Sequence, residues 1–221
     1  MARGFRDCFV CPRLSVRIIW RSYGKRGESE RKIPGMTGER VVTENRLAGS
    51  RRAAKNRRSE GHFFDMGDYP RVCNGQDVVE PVNEFREHRP AIVLTHEFED
   101  PYNMDHPPAN HGTLEARVCT EESGYPAEGK GSRDKTLVVI LEPHEPEQCH
   151  FGSPVRFEIT SIGERERNGH GVDGAQQRLV KYSTVAAGRR AVERTSDSRK
   201  RHIQYAGVFQ RIYPRVTDRL P

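Results

Sequence analysis

Four short apolar runs set what this chain can fold into: Val16 to Trp20, His62 to Phe64, Ala91 to Leu94 and Leu137 to Leu141. Each is bounded by glycine, proline or charge. Runs of this length suit strands of a sheet covered on both faces. Helical spacing lies between them. Val78, Val79, Val82 and Phe85 share one face of an amphipathic helix, in which Pro81 is tolerable only in the first turn. Leu114 and Val118 mark a second helix, with Pro107 and Pro108 near its start and Gly124 past its end. Glu39–Arg58 reads as a helix with a thin apolar stripe and many arginines. Strands alternating with helices predict an α/β fold with a mainly parallel sheet. Gly163, Gly169, Gly171, Gly174 and Gly188 weaken any helix between Ser161 and Gly188. Ile203, Ala206, Phe209 and Tyr213 predict a short final amphipathic helix, ended by Pro214.

That fold must be built from few apolar residues. Only 34% of the 221 residues are hydrophobic and 31% are charged, at a mean hydropathy of −0.83. This is near the limit below which a chain cannot bury enough apolar surface. The net charge of +6 is uneven: residues 1–60 hold 16 Lys and Arg against 6 Asp and Glu. No run approaches the roughly 20 apolar residues of a membrane span. Arg13 and Arg17 interrupt the one apolar stretch near the start, which argues against a secretory signal. Five scattered cysteines, Cys8, Cys11, Cys73, Cys119 and Cys149, fit a reducing cytoplasm better than a disulfide scaffold. Cys8 and Cys11 form a C-x-x-C pair without the second pair that a zinc ribbon needs, and read as incidental.

Three unusual loops follow three of the strands, where α/β folds gather their ligands. Thr95 to Pro107 holds His96, His106 and several carboxylates, a composition that suits a metal and its supporting groups. Read blandly, it is a polar loop whose Asp105 and His106 cap a helix. Glu142 to Cys149 follows another strand, with His144 among prolines and acids. Ser22 to Ser29 carries Gly24 and Gly27, which free backbone N–H groups for a ligand. In the same loop Arg26 offers a fork for a carboxylate, and Glu28 a proton carrier.

These residues resemble the LmbE-like, or PIG-L, superfamily of zinc-dependent proteins, and within it the 4-oxalomesaconate hydratase branch. The resemblance runs through S-Y-G-K-R-G-E-S (22–29), P-G-M-T (34–37), F-F-D-M-G-D-Y-P (63–70), R-P-A-I-V-L-T-H (89–96), D-P-Y-N-M-D-H-P (100–107), E-P-H-E-P-E-Q-C (142–149) and the segment 205–221. It implies a Rossmann-like three-layer α/β fold, one catalytic zinc and addition of water to an unsaturated keto or enol polycarboxylate. His106 would be a metal ligand, with Asp105 and His96 as its supports. Glu28 would be the acid/base. Arg26, Ser29, Tyr102 and Asn103 would contact the substrate, with His144 on the opposite wall.

The family's A-H-x-x-D motif has no counterpart before Ser22, so only His106 of the three zinc ligands carries over. Lys25 and Gly207 replace acids that the family pattern leads one to expect. Residues 1–21 are therefore expected to be a divergent or truncated segment, and 22–221 a single α/β domain. The basic first quarter is expected to mark a weakly stable edge of the sheet, and the chain to hold little stoichiometric zinc. Two other readings stay open: a zinc-dependent deacetylase of N-acetyl sugars or related amides, and a non-catalytic family member with a basic N-terminal arm. The expected partner is a small polycarboxylate, in the cytoplasm, with no membrane. Nucleic acid ranks well below it, for lack of any recognised binding pattern. A homo-oligomer is compatible with the resemblance.

Overall fold

The computed structural model describes residues 7–11, 17–22, 51, 60–64, 73–131, 137–141, 155–160, 177–192 and 203–212. Its strands are β1 (Asp7–Cys11), β2 (Arg17–Ser22), β3 (Glu60–Phe63), β4 (Ile92–Thr95), β5 (Leu137–Leu141), β6 (Val155–Glu158) and β7 (Ala206–Arg211). Its helices are α1 (Val79–His88), α2 (His106–Glu121) and α3 (Gln177–Val192). The strands form one sheet in the order β3-β2-β1-β4-β5-β7-β6. All four apolar runs became strands, and the helices on either side of β4 stand where the spacing placed them. The α/β class holds.

The mainly parallel sheet does not. Only β2–β3 and β4–β5 run parallel; β1–β2, β1–β4, β5–β7 and β6–β7 are antiparallel. The connection from Cys11 to Arg17 is too short for the crossover of a dozen or more residues that a parallel pair requires, so β1 and β2 form a hairpin. Of the basic first quarter, the described strands β1 and β2 are not at the edge of the sheet. β1 lies between β2 and β4, pairing Phe9 with both Ile19 and Val93. The C-x-x-C pair falls within β1.

Two expectations near the C-terminus also fail. The predicted final helix is strand β7, in which Ala206 and Val208 are buried at alternate positions. That period of two, paired on both sides, overrides the helical spacing. The glycine-weakened region contains α3, which runs through Gly188. Buried Ala187 and Ala191 give α3 a small-residue face, and α3 packs on β7. A β-carbon at Gly188 would come within 3.9 Å of the Gln204 carbonyl. The expected helix over Glu39–Arg58 lies outside the described residues, except Arg51.

The core explains α1 and α2. Val78, Val82 and Phe85 project from the α1 region onto Val93 of β4, Val138 of β5 and Ala116 of α2. Gly112 lets α2 approach residue 73 closely; a β-carbon there would stand 2.7 Å from Cys73 Sγ. Arg86, only 5% exposed, joins the two helices. Its guanidinium donates to the carbonyl oxygens of Glu122 (2.7 Å), Ala127 (2.9 Å), Gly129 (3.3 Å) and Cys119 (3.4 Å). It thus satisfies the C-terminal carbonyls of α2, which no further turn of helix would reach, and places a cation where the helix dipole is negative.

Arg86→Ala should lower the unfolding free energy by about 2–4 kcal/mol in urea titration, because it removes a buried side chain and the donor shared by four part-buried carbonyls. Arg86→Lys should recover only part of that loss, since an ammonium lacks the planar fork. A loss under about 1 kcal/mol for the alanine variant would show that water replaces the guanidinium freely.

Candidate active site

The carboxyl end of β4 runs through residues 96–105 into α2, and the site is built on this connection. Asp100 organises it. Its Oδ1 accepts the backbone N–H groups of Tyr102 and Asn103, both at 3.0 Å. This is the turn that an aspartate side chain makes with its own backbone. The Asn103 carbonyl then accepts the N–H of His106 at 3.0 Å, and α2 begins. Asp100 Oδ2 lies 2.7 Å from His106 Nδ1, with both residues 3% exposed.

Burial pushes the Asp100 carboxyl up. The hydrogen bond and charge of His106, with the two amides, outweigh that effect and hold it below its ordinary value. An ionised carboxylate only accepts, so the proton between them resides on His106 Nδ1. In the neutral imidazole the other ring nitrogen, Nε2, then carries the lone pair. This is how a carboxylate fixes the tautomer of a metal-binding or basic histidine.

A second ring lies against the first. The imidazoles of His96 and His106 stack with centroids 3.7 Å apart and planes 10° apart. Asn110, one turn into α2, donates its side-chain amide to the His96 carbonyl. Glu97 is 7% exposed, and its Oε1 accepts the Phe98 N–H at 2.8 Å. Its Oε2, with Thr95 Oγ1 and Asn110 Oδ1, is buried without a donor among the described residues. Burial pushes the Glu97 carboxyl up, the Phe98 amide opposes this, and the charge of Glu99 adds to it. Phe98, Tyr102 and Met104 stand exposed on the same connection.

Of the residues singled out from sequence, His96, Tyr102, Asn103, Asp105 and His106 lie on this segment, and His96 is in contact with His106. Asn103 is buried and Tyr102 is about half exposed. Asp105 occupies the N-cap of α2 but makes no capping hydrogen bond with its side chain. Arg26, Glu28, Ser29 and His144 lie outside the described residues. Asp100, Glu97 and Asn110 escaped the sequence reading. For Asp100 the Asp-Pro dipeptide was a usable sign, since that pair favours starting a turn.

A catalytic zinc needs three protein ligands and an open position. His106, buried and with its tautomer fixed, fits one of them. Among the described residues it joins no trio of ligand atoms; the trio that does occur is Glu84, Glu87 and His88 on α1. There His88 Nε2 stands 3.0 Å from Glu84 and 3.8 Å from Glu87.

No family model matches the chain. It is 32% identical to the 4-oxalomesaconate hydratase of Pseudomonas putida (strain KT2440) over 210 residues, 93% of this chain and 81% of that protein. The chain belongs to the 4-oxalomesaconate hydratase branch of the LmbE-like superfamily. The crystal structure of the 4-carboxy-2-hydroxymuconate hydratase of P. putida KT2440 matches this fold with a TM-score of 0.81 at 32% identity, over 92% of this chain and 86% of that one. The N,N'-diacetylchitobiose deacetylase of Pyrococcus horikoshii shares the fold at 11% identity, with a TM-score of 0.66 over 83% of this chain and 69% of that one. Among the described residues of this hydratase-branch chain, no helix is long and apolar enough to cross a membrane.

Asp100→Asn should abolish the downfield Nδ1–H proton signal of His106 and lower activity about 10–100-fold, because an amide can donate to Nδ1 and invert the tautomer. An unchanged signal would mean that the carboxylate does not hold that proton.

Glu97 gives a prediction of opposite sign to the usual acid. Its raised folded value means that ionising it costs stability; the cost is absent below the ordinary value of 4.5 and grows as pH rises through it. Glu97→Gln should therefore melt with the parent below pH 4.5 and above it near neutrality. A difference independent of pH would refute this.

Proposed function

We propose that the chain is a hydratase of aromatic-acid degradation, adding water across a carbon–carbon double bond of an unsaturated polycarboxylate with a keto or enol group. The observation that carries this is the 32% identity to a 4-oxalomesaconate hydratase across 93% of the chain. The buried Asp100–His106 pair at a strand's carboxyl end gives the reading a physical centre. The Rossmann-like three-layer arrangement belongs to the same reading.

Hydration needs one group to take a proton from water and one to give a proton to carbon. Glu28 is assigned the proton transfer, on its G-x-R-G-E-S context. Arg26, Ser29, Tyr102 and Asn103 are assigned the substrate carboxylates, with His144 facing them. His106 would hold a divalent metal, zinc by resemblance, through Nε2, with Asp105 and His96 beside it. When bound, such a metal supplies charge that polarises a substrate oxygen. Asp100 keeps the proton on Nδ1 and so keeps Nε2 free of one. The buried, polar lining around His106 stabilises charge developing on the substrate without reorganising at that moment.

The purified full chain should remove the near-ultraviolet absorbance of 4-carboxy-2-hydroxymuconate, since hydration breaks its conjugation, and should release no amine from N-acetylglucosamine. Amine release without loss of absorbance would overturn the hydratase reading in favour of a deacetylase.

A further inference from the structure

We propose that His96 is a positioning residue, whose flat imidazole sets the plane of the His106 ring rather than taking part in the chemistry. The geometry supplies two restraints on His106. An imidazole N–H is directed in the plane of its ring, and the bond from Nδ1 to Asp100 is 2.7 Å long. A single such bond leaves the ring able to tilt about the line joining Nδ1 to the carboxylate, and hydrogen bonds tolerate tens of degrees of misalignment. The second restraint acts across the plane. With centroids 3.7 Å and planes 10° apart, His96 leaves no space into which His106 could tilt on that side. Together they fix both the tautomer and the direction of Nε2. Reactive groups need this control, since a small misdirection is costly.

The stack is itself held from its backbone. His96 follows directly on β4, whose Thr95 is paired with Ile140 of β5. The Asn110 amide grips the His96 carbonyl. Asn110 and His106 are four residues apart in α2, hence on one face of that helix. One helix thus carries the ring to be positioned and the clamp on the residue that positions it. A His96 acting by proton transfer or as a ligand would depend on its nitrogens; a His96 acting as a shelf depends only on its flat ring.

The test compares His96→Phe, His96→Leu and His96→Ala in the full-length chain. Phenylalanine keeps a flat ring without nitrogens, leucine fills the volume without a plane, and alanine leaves a gap. Proton spectra of histidine-labelled protein read the His106 Nδ1–H signal, identified by its loss in Asp100→Asn, and need neither metal nor substrate. The phenylalanine variant should keep that signal. The leucine and alanine variants should broaden it beyond detection. Should the alanine variant not fold, the leucine and phenylalanine pair still decides. Loss of the signal in His96→Phe, or its survival in His96→Leu, would overturn the proposal.

A kinetic arm rests on the hydratase reading. There kcat/KM should fall about 10-fold for leucine and stay within about twofold of the parent for phenylalanine. A phenylalanine variant as impaired as the leucine one would overturn the proposal. A parent chain that hydrates nothing would sink the hydratase reading alone, and the spectra would still decide the role of His96.

Discussion

Helix α2 is gripped at each end by a buried charge of the sign that its dipole favours. At its N-terminus stands the Asp100 carboxylate, accepting from Tyr102, Asn103 and His106. At its C-terminus stands the Arg86 guanidinium, shared among four carbonyl oxygens. Both are at most 5% exposed. Arg86 takes up the Cys119 and Glu122 carbonyls at the end of α2. Asp100 holds the turn that leads into the helix and the side chain of its first residue, His106. Both charges have the sign that the helix dipole favours, so α2 is fixed in direction and register together.

The polar composition takes on a different meaning in this light. A chain with 34% hydrophobic residues has a small apolar core, and its buried set here includes Arg86, Thr95, Glu97, Asp100, Asn103, Asp105, His106 and Asn110. Most of these lie between residues 95 and 110, at one end of β4 and the start of α2. Buried polar groups specify geometry more sharply than apolar ones, because each unsatisfied atom carries a penalty. The core of Val78, Val82, Phe85, Val93, Ala116 and Val138 supplies cohesion. The polar segment beside it supplies direction.

How much of this could be read from the sequence depended on the range of the interaction. Strands β4 and β5 and helices α1 and α2 were legible, because apolar runs and i, i+4, i+7 spacing are local. Parallel or antiparallel pairing was not, because it depends on which strands meet: β1 reached the middle of the sheet through partners at Ile19 and Val93. Strand β7 was misread because Ile203, Ala206, Phe209 and Tyr213 fit a helical period while Ala206 and Val208 fit an alternating one, and pairing with β5 and β6 decided between them. At the site, His96 and His106 stood out by residue type. Asp100 did not, since Asp105 lies next to His106 and looked the better partner. The turn made by Asp100 carries the chain round so that residue 100, six positions back, meets Nδ1. Neighbours i and i+1 on a helix do not face each other, and it is Asp100, not the adjacent Asp105, whose carboxylate stands 2.7 Å from Nδ1.

The segment that orients His106 is compact in sequence. Among the described residues, the Asp100 carboxylate, the His96 ring and, through His96, the Asn110 amide orient His106 from within residues 96–110. The contacts are short in sequence, so forming them closes only small loops, and little ordering entropy depends on distant segments. These contacts tie the tautomer and the plane of His106 to β4, α2 and the turn between them.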